Sequence, residues 1–202
     1  MAINKGLDTT DSCIPHIPAL KAAGFTFVCR YTSHSAWKNM TVAEVHALSK
    51  AGISIVNVWE SSGDHASFFT YQQGLMDGAA AFAFAQHIGQ PFTAPIYFAV
   101  DYDGTVAQVS DYFKGVRDSL QKHGQIGKDT YNVGVYGSGA VCEGLKSAGY
   151  VSFTWRAQSL GWSGTRQYND WNICQGPAAT IAGMNADSDV SNGHGGGWMV
   201  TV

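Results

Sequence analysis

Short apolar runs alternate with longer amphipathic segments along most of the chain. The apolar runs are rich in β-branched and aromatic residues, as buried strands are, and lie at residues 5–8, 25–31, 53–59, 96–100 and 131–136. The segments between them have the composition and spacing of helices, at residues 17–23, 41–50, 73–89, 106–123 and 139–148. This alternation predicts parallel strands joined by helical crossovers.

Beyond residue 149 the repeating units become shorter. Three further strands are predicted there with little helix between them, at residues 151–155, 166–168 and 180–186. About eight strands in all favour a (β/α)8 barrel of the TIM type with degenerate late helices, and a doubly wound open sheet is the alternative. No linker or low-complexity segment divides the chain, so residues 1–202 are expected to form a single domain.

Composition excludes several classes of function. A formal net charge of −3 gives no basic surface for nucleic acid or for an anionic membrane. No apolar run is long enough to span a bilayer, and the first residues lack the apolar core of a secretory signal peptide. We expect a monomer without a signal peptide, which is released by a phage or a specialised secretion route or stays cytoplasmic until released.

The cysteines are isolated from one another. Cys13, Cys29, Cys142 and Cys174 are far apart and form no Cys-x-x-Cys pair, which disfavours a zinc site and a disulfide framework. Reduced thiols, no metal site and no cofactor are therefore expected.

Candidate chemistry lies where the predicted strands end. The strand at residues 96–100 is followed by Asp101 and Asp103, which are two positions apart and would share one face of an extended chain. Carboxylates at the end of a buried strand are costly unless they are paired or used. The other strand ends and the segments that follow them contribute Asp8, Arg30, Tyr31, Glu60, Tyr136, Trp155, Gln158, Gln167, Asp187 and Asp189.

In a barrel these strand ends meet on one face. Aromatic rings stack on the apolar faces of sugars, amides and carboxylates bind hydroxyl groups, and two carboxylates supply the acid and base that cleave a glycosidic bond. Clustered carboxylates also raise the pKa of at least one of them, as a general acid requires. The pattern therefore indicates an enzyme that acts on a sugar polymer.

Several of these residues also fit structural roles. Asp8 precedes Thr9-Thr10-Asp11 and fits a cap or a turn. Arg30 fits a buried ion pair, and Glu60 fits a solvated loop. Tyr136 and Trp155 fit packing inside the barrel.

Asp101-Tyr-Asp-Gly-Thr105 also matches the motif of haloacid-dehalogenase-type phosphatases, in which the first Asp attacks phosphate beside magnesium. That family places the motif on its first strand, whereas about half of this chain precedes it. The other residues that this hypothesis needs are Ser138, Lys146 and Asp187 or Asp189.

Four motifs together resemble a known family. They are Gly6-Leu-Asp-Thr-Thr10, Ala23-Gly-Phe-Thr-Phe-Val-Cys-Arg-Tyr31, Leu48-Ser-Lys-Ala-Gly-Ile-Ser-Ile-Val56 and Tyr97-Phe-Ala-Val-Asp-Tyr-Asp103. Their kind and order are similar to those of the bacterial and phage glycoside hydrolase-like barrel domain, a relative of the family 25 lysozyme-type muramidases. The resemblance covers most of the chain and is strongest over residues 6–137.

The resemblance implies a sugar-binding groove on a barrel, with peptidoglycan glycan strands as the polymer. In the muramidases the first strand ends in Asp and the fourth in Asp-x-Glu, with the Glu as proton donor. Asp8 and Asp101 match this pattern, whereas Asp103 stands at the position of the Glu with a side chain one methylene shorter. A misplacement on that scale costs about a hundredfold in rate. Glu60 is the alternative proton donor.

We therefore expect a lysozyme-like glycoside hydrolase, such as an endolysin, with Asp103 or Glu60 as the general acid. Asp101 would stabilise developing positive charge, and Asp8 would assist. The groove would be lined by Arg30, Tyr31, Tyr136, Trp155, Gln167 and Asp189. The shorter Asp103 supports the alternative of a module that binds cell-wall glycan on the same barrel without cutting it.

Overall fold

A computed structural model describes residues 3–124 and 129–201 and arranges eight strands in a closed barrel. The strands follow chain order around the barrel: Asn4–Thr9 (β1), Phe27–Thr32 (β2), Ser54–Trp59 (β3), Pro95–Ala99 (β4), Asn132–Gly137 (β5), Phe153–Arg156 (β6), Ile173–Ile181 (β7) and Met184–Ser191 (β8). Five helices lie between the earlier strands: Ile17–Ala22 (α1), Val42–Ala51 (α2), Tyr71–His87 (α3), Val106–His123 (α4) and Gly139–Ser147 (α5). The predicted barrel with degenerate late helices is confirmed.

The last strand runs against the others. Strands β1 to β7 pair in parallel with their neighbours in sequence, whereas β8 is antiparallel to both β7 and β1. A strand that follows a tight hairpin must reverse direction, and β7 and β8 are joined in this way. The start of β8 therefore lies at the barrel end where the parallel strands finish, and Asp187 pairs with Asp8.

Two of the predicted late strands are wrong. Residues 166–168 form a turn in which the backbone N–H groups of Gln167 and Tyr168 donate to the carbonyl of Gly164. Residues 180–186 contain the hairpin turn itself, because Ala182 and Gly183 both have positive φ and bring Ile181 opposite Met184. Positive φ at both central residues is the type I′ arrangement, which Asn-Gly or Asp-Gly usually marks and Ala-Gly does not.

Side chains alternate between the inside and the outside of the barrel. Large apolar side chains fill the interior, among them Phe27, Val56, Val58, Tyr97 and Trp155. Gly134 makes room for this packing, because a Cβ atom there would stand 2.7 Å from the ring of Tyr97. The interior is thus a packed core that closes the barrel beneath its open end.

Two further findings concern the described residues only. They contain no helix that is both long and apolar enough to cross a membrane. The four cysteines are free thiols, and Cys13, Cys29 and Cys142 are buried.

Candidate active site

The inward-facing positions bring polar side chains to the end of the barrel where the parallel strands finish. On β4, Tyr97 and Ala99 face the interior and Asp101 follows at the next inward position. A cavity of about 120 Å³ lies there, lined by Tyr31, Val58, Glu60, Ala99, Asp101, Tyr136, Trp155, Gln175 and Asp187. The structure thus assembles side chains from seven of the eight strands, or from the residues that directly follow them.

A second cavity of about 520 Å³ adjoins the first, because Tyr31 and Asp187 line both. Its other lining residues come from the end of β1 and from the β7–β8 hairpin: Asp8, Thr9, Thr10, Ala178, Ala179, Thr180, Asn185 and Ala186. Together the two cavities form a groove across the open end of the barrel. We call this surface the groove below.

Gln175 links the acidic side chains of the groove. Its amide nitrogen donates to Asp8 Oδ2 at 2.9 Å and to Asp187 Oδ2 at 3.1 Å. Its amide oxygen accepts from the hydroxyl of Tyr136 at 2.8 Å and from the backbone N–H of Gln158 at 3.4 Å. Gln175 therefore fixes the orientation of two carboxylates at once.

Asp8 is a buried carboxyl group. It accepts hydrogen bonds from Gln175 and from the hydroxyl of Tyr31, at 2.9 Å each. Burial raises the pKa of Asp8 from 3.8 to about 6, with a further contribution from the charge of Asp187, while the hydrogen bonds from Gln175 and Tyr31 oppose the shift. Asp8 therefore changes its charge state within the mildly acidic range.

Asp189 lies one inward position deeper on β8 than Asp187 and is 1% exposed. Its Oδ1 accepts from the indole N–H of Trp155 at 2.9 Å, beneath the cavity. Burial first, and the nearby charge of Asp8 second, raise the pKa of Asp189 well above 3.8. The structure therefore places Asp189 and the indole N–H in the barrel core rather than along the groove, and Asp189 is held in its neutral form.

Glu60 is paired with a lysine that the sequence analysis did not identify. Lys38 Nζ lies 2.7 Å from Glu60 Oε2 and 5.3 Å from the centre of the Tyr31 ring. Both side chains of the pair are largely shielded from solvent. The structure therefore places Glu60 in an ion pair at the edge of the small cavity.

Asp101 is accessible from the groove. Its backbone N–H donates to the carbonyl of Gly63 at 2.7 Å, and this fixes the chain beyond β4. Gly63 permits that approach, since a Cβ atom there would stand 2.8 Å from the Ala99 carbonyl oxygen. Partial burial, followed by the charges of Glu60, Asp64 and Asp187, raises the pKa of the Asp101 carboxyl, while Lys38 lowers it. A proton donor for a substrate needs this combination of access and raised pKa.

Asp103 does not share a face with Asp101, because β4 ends at Ala99 and residues 101–103 bend away. Asp103 Oδ1 accepts from the backbone N–H of Ser163 at 2.8 Å, and Oδ2 accepts from the Ser163 hydroxyl at 3.1 Å. Both carboxylate oxygens thus anchor the segment between β6 and β7.

Asp103→Asn is expected to keep the glycan cleavage that the sequence analysis predicts within about fivefold of the wild type, because an amide can still bond the Ser163 N–H and little more than one hydrogen bond is at stake. Hydrolysis of purified peptidoglycan measures this. A fall of about a hundredfold or more would instead assign the proton transfer to Asp103.

Arg30 and Gln167 lie outside the groove. Arg30 points outward from β2, where Nε and Nη2 bond the buried carboxylate of Glu44 on α2 at 2.8 and 3.2 Å. The outward direction follows from strand alternation, since the inward positions on β2 are taken by Cys29 and Tyr31. Gln167 is exposed on the turn between β6 and β7, in a separate depression beside α5.

The residues needed by a phosphatase do not converge. The Ser138 hydroxyl caps α5 by accepting from the N–H of Val141, and Lys146 pairs with Asp170 on the outer surface. The Asp-x-Asp-Gly-Thr segment follows the fourth strand of a closed barrel. Among residues 3–124 and 129–201, no three His, Cys, Asp or Glu side chains form a group that would hold a metal ion.

Gln175→Leu is expected to raise the pKa of Asp8 above its value of about 6, because the hydrogen bond from Gln175 opposes the effect of burial. Carbon-13 NMR titration of the aspartate carboxyl groups measures this shift without requiring catalysis. Gln121→Leu, at an exposed position of α4, is the matched control. An unchanged Asp8 titration in Gln175→Leu would show that the amide does not control this carboxyl group.

A family model matches residues 18–197 of this chain. The chain belongs to the Rv2525c-like, glycoside hydrolase-like domain family. The relation to this family that the strand-end motifs indicated is thereby confirmed. Among curated relatives, the uncharacterized protein FadG of Bacillus subtilis (strain 168) is 29% identical over 195 residues. The match covers 87% of this chain and 33% of FadG, so the chain spans about a third of the length of that relative.

Solved structures share the fold of this Rv2525c-like domain. The Tat-secreted protein Rv2525c of Mycobacterium tuberculosis, in complex with L-tartrate, superposes with a TM-score of 0.81 at 20% identity, covering 98% of this chain and 100% of that one. A family 25 glycosyl hydrolase from Bacillus anthracis superposes with a TM-score of 0.55 at 13% identity, covering 94% and 88%. Identities this low establish the shared fold alone.

Proposed function

We propose that this domain is a glycoside hydrolase that cleaves the glycan strands of bacterial peptidoglycan. The observation that carries the proposal is that Asp101 and Glu60 line one cavity at the open end of the barrel, where Glu60 is ion-paired with Lys38 and Asp101 is not. Burial and neighbouring carboxylates raise the pKa of Asp101, whereas Lys38 stands 2.7 Å from Glu60. Two carboxyl groups in one cavity, one of which can act as an acid, are the machinery of glycosidic cleavage.

In this mechanism Asp101 donates its proton to the oxygen of the departing sugar as the glycosidic C–O bond breaks. Glu60, which is ion-paired with Lys38, faces the positive charge that develops on the other sugar ring. A water molecule then supplies hydroxide to the anomeric carbon and returns a proton to Asp101. Asp8 and Asp187, both held by Gln175, border the adjoining part of the groove and can accept hydrogen bonds from sugar hydroxyl groups. The sequence analysis expected Glu60 as a candidate proton donor and Asp101 as the group that stabilises positive charge. We exchange these two roles because Lys38 forms an ion pair with Glu60.

Peptidoglycan is the proposed polymer for three reasons. The groove continues past the small cavity into a larger one of about 520 Å³, which suits an extended chain more than a single sugar. The fold is shared with a family 25 glycosyl hydrolase, and the strand-end motifs resemble those of the lysozyme-type muramidases. Rv2525c is Tat-secreted, and a secreted domain of this family would meet the cell wall outside the cytoplasm.

A second candidate is a module that binds the glycan without cutting it. The observation in its favour is that Asp103, at the position of the muramidase proton donor, has both carboxylate oxygens bonded to Ser163. Such a module would keep the groove and its aromatic residues but would lack a proton donor.

Digestion of purified peptidoglycan, with mass spectrometry of the soluble products, tests the two candidates. The proposed hydrolase releases muropeptides with new reducing sugar ends. Protein that sediments with the insoluble wall and releases no product supports the binding module. Absence of both binding and products rejects peptidoglycan as the ligand.

A further inference from the structure

Trp37 presents an indole ring to solvent beside the groove. Its side chain is 76% exposed, whereas Trp59, Trp155 and Trp198 are at most 5% exposed. Tryptophan is highly buried on average, since its ring is the largest apolar side chain. An indole this exposed is therefore a surface feature that packing within the described structure does not explain.

The segment that carries Trp37 is tied down. The Ser33 hydroxyl oxygen accepts from the N–H of Ser35 at 2.9 Å, and Asn39 Nδ2 donates to the Ser33 carbonyl at 3.0 Å. The N–H of Met40 donates to the carbonyl of Tyr31 at 3.0 Å, and the Met40 side chain is 1% exposed. The backbone that carries the exposed indole is thus fixed by hydrogen bonds on both sides of Trp37.

The contacts of Lys38, its neighbour in sequence, place the backbone of Trp37 close to the small cavity. Lys38 contacts both Glu60 and the ring of Tyr31, and these two residues line the small cavity. Trp37 belongs to the same short 3-10 helix as Lys38, which spans Ala36–Lys38. The backbone of Trp37 therefore lies within one residue of a side chain that reaches the proposed catalytic carboxylates.

We propose that Trp37 is a stacking platform for a sugar ring of the glycan strand, outside the cavity in which cleavage takes place. The larger cavity extends the groove toward β1 and the β7–β8 hairpin, so sugar units on the other side of the small cavity, which encloses only about 120 Å³, must find contacts on its rim. A flat indole offers apolar surface to the C–H face of a pyranose, and a rigid ring loses little conformational entropy when it binds. This inference rests on the proposed function, because it requires a glycan ligand.

Binding is best measured in an Asp101→Asn background, which prevents turnover, with glycan strands stripped of their stem peptides as the probe. Trp37→Ala is expected to weaken binding about tenfold, as truncation of a tryptophan at the centre of a contact does. Trp37→Tyr, which keeps an aromatic face, is expected to restore most of the affinity. Met199→Ala is the matched control, because Met199 is 48% exposed and lies at the other end of the barrel. Its neighbour Trp198 pairs with Ile55, near the start of β3.

Intrinsic fluorescence gives an independent readout. Glycan binding should shift the emission of the Asp101→Asn protein to shorter wavelength, and Trp37→Tyr should bind with most of that shift removed. Glycan binding that is equally tight with and without the Trp37 ring would overturn the inference and leave the proposed function standing. If the Asp101→Asn protein binds no glycan and the wild type releases no product, both the inference and the proposed function fail.

Discussion

Asp101→Asn is expected to lower the rate of peptidoglycan cleavage about a thousandfold, within the range of about 10² to 10⁴ that a general acid contributes. The amide has nearly the same shape as the carboxyl group but carries no transferable proton. Binding of the glycan should change little, because the loss is confined to the transition state. Release of reducing ends under saturating substrate, together with sedimentation on the insoluble wall, separates the two effects.

The pH profile adds a second test of the same assignment. A general acid must be protonated, so wild-type activity should fall as pH rises through the raised pKa of Asp101. Asp111→Asn, at an exposed position of α4, is the matched control and should retain full activity with an unchanged profile. If Asp101→Asn retained more than about a tenth of wild-type activity, another group would have to be the proton donor.

Strands β1 to β6 could be predicted from the sequence because short apolar runs alternate there with helical segments. Strand alternation then carries Asp8 and Asp101 to the open end without further information. The same alternation shows why Tyr31 reaches the groove and Arg30 does not. On a regular strand, the sequence pattern therefore predicts which side chains face the barrel interior, provided that the ends of the strand are predicted correctly.

Gln175 and Lys38, the two site residues that the sequence analysis did not identify, lie where the alternation of apolar and polar residues is irregular. Gln175 stands on a strand that contains Gly176 and Pro177 and has an irregular register between Gln175 and Ala178. Such a segment does not show the alternation of an ordinary strand, so the residue that holds two carboxylates was not identified. The ion pair of Lys38 with Glu60 joins two different loops, and no spacing in the sequence predicts such a contact.

The depth of Asp189 also depends on a feature that the sequence pattern did not reveal. With β8 parallel, Asp189 would stand nearer the open end than Asp187. Because the β7–β8 hairpin reverses the strand, Asp189 pairs with Gly6, below Asp8, and enters the core. Predicting the wrong direction for β8 therefore placed Asp189 in the groove instead of in the barrel interior.

Asp189→Asn is expected to stabilise the protein at pH 8 and to leave its stability at pH 4 nearly unchanged. Native Asp8 and Asp189 both have raised pKa values, chiefly through burial, so the folded protein binds more protons than the unfolded chain above pH 3.8. The free energy of unfolding must then fall as pH rises from about 4 through about 6. A pKa raised from 3.8 to about 6 corresponds to about 3 kcal/mol for Asp8.

Asparagine reproduces the neutral form of Asp189 without this cost. Its amide oxygen can accept from the indole N–H of Trp155, and its amide nitrogen can donate toward Asp8, which favours the ionised form of Asp8. We expect a higher free energy of unfolding and a higher melting temperature at pH 8, with little change at pH 4. Urea unfolding at pH 4, 6 and 8 measures the gain, with Asp111→Asn as the exposed control. A loss of stability at pH 8, or an equal change at pH 4 and pH 8, would mean that Asp189 is not held neutral in the core.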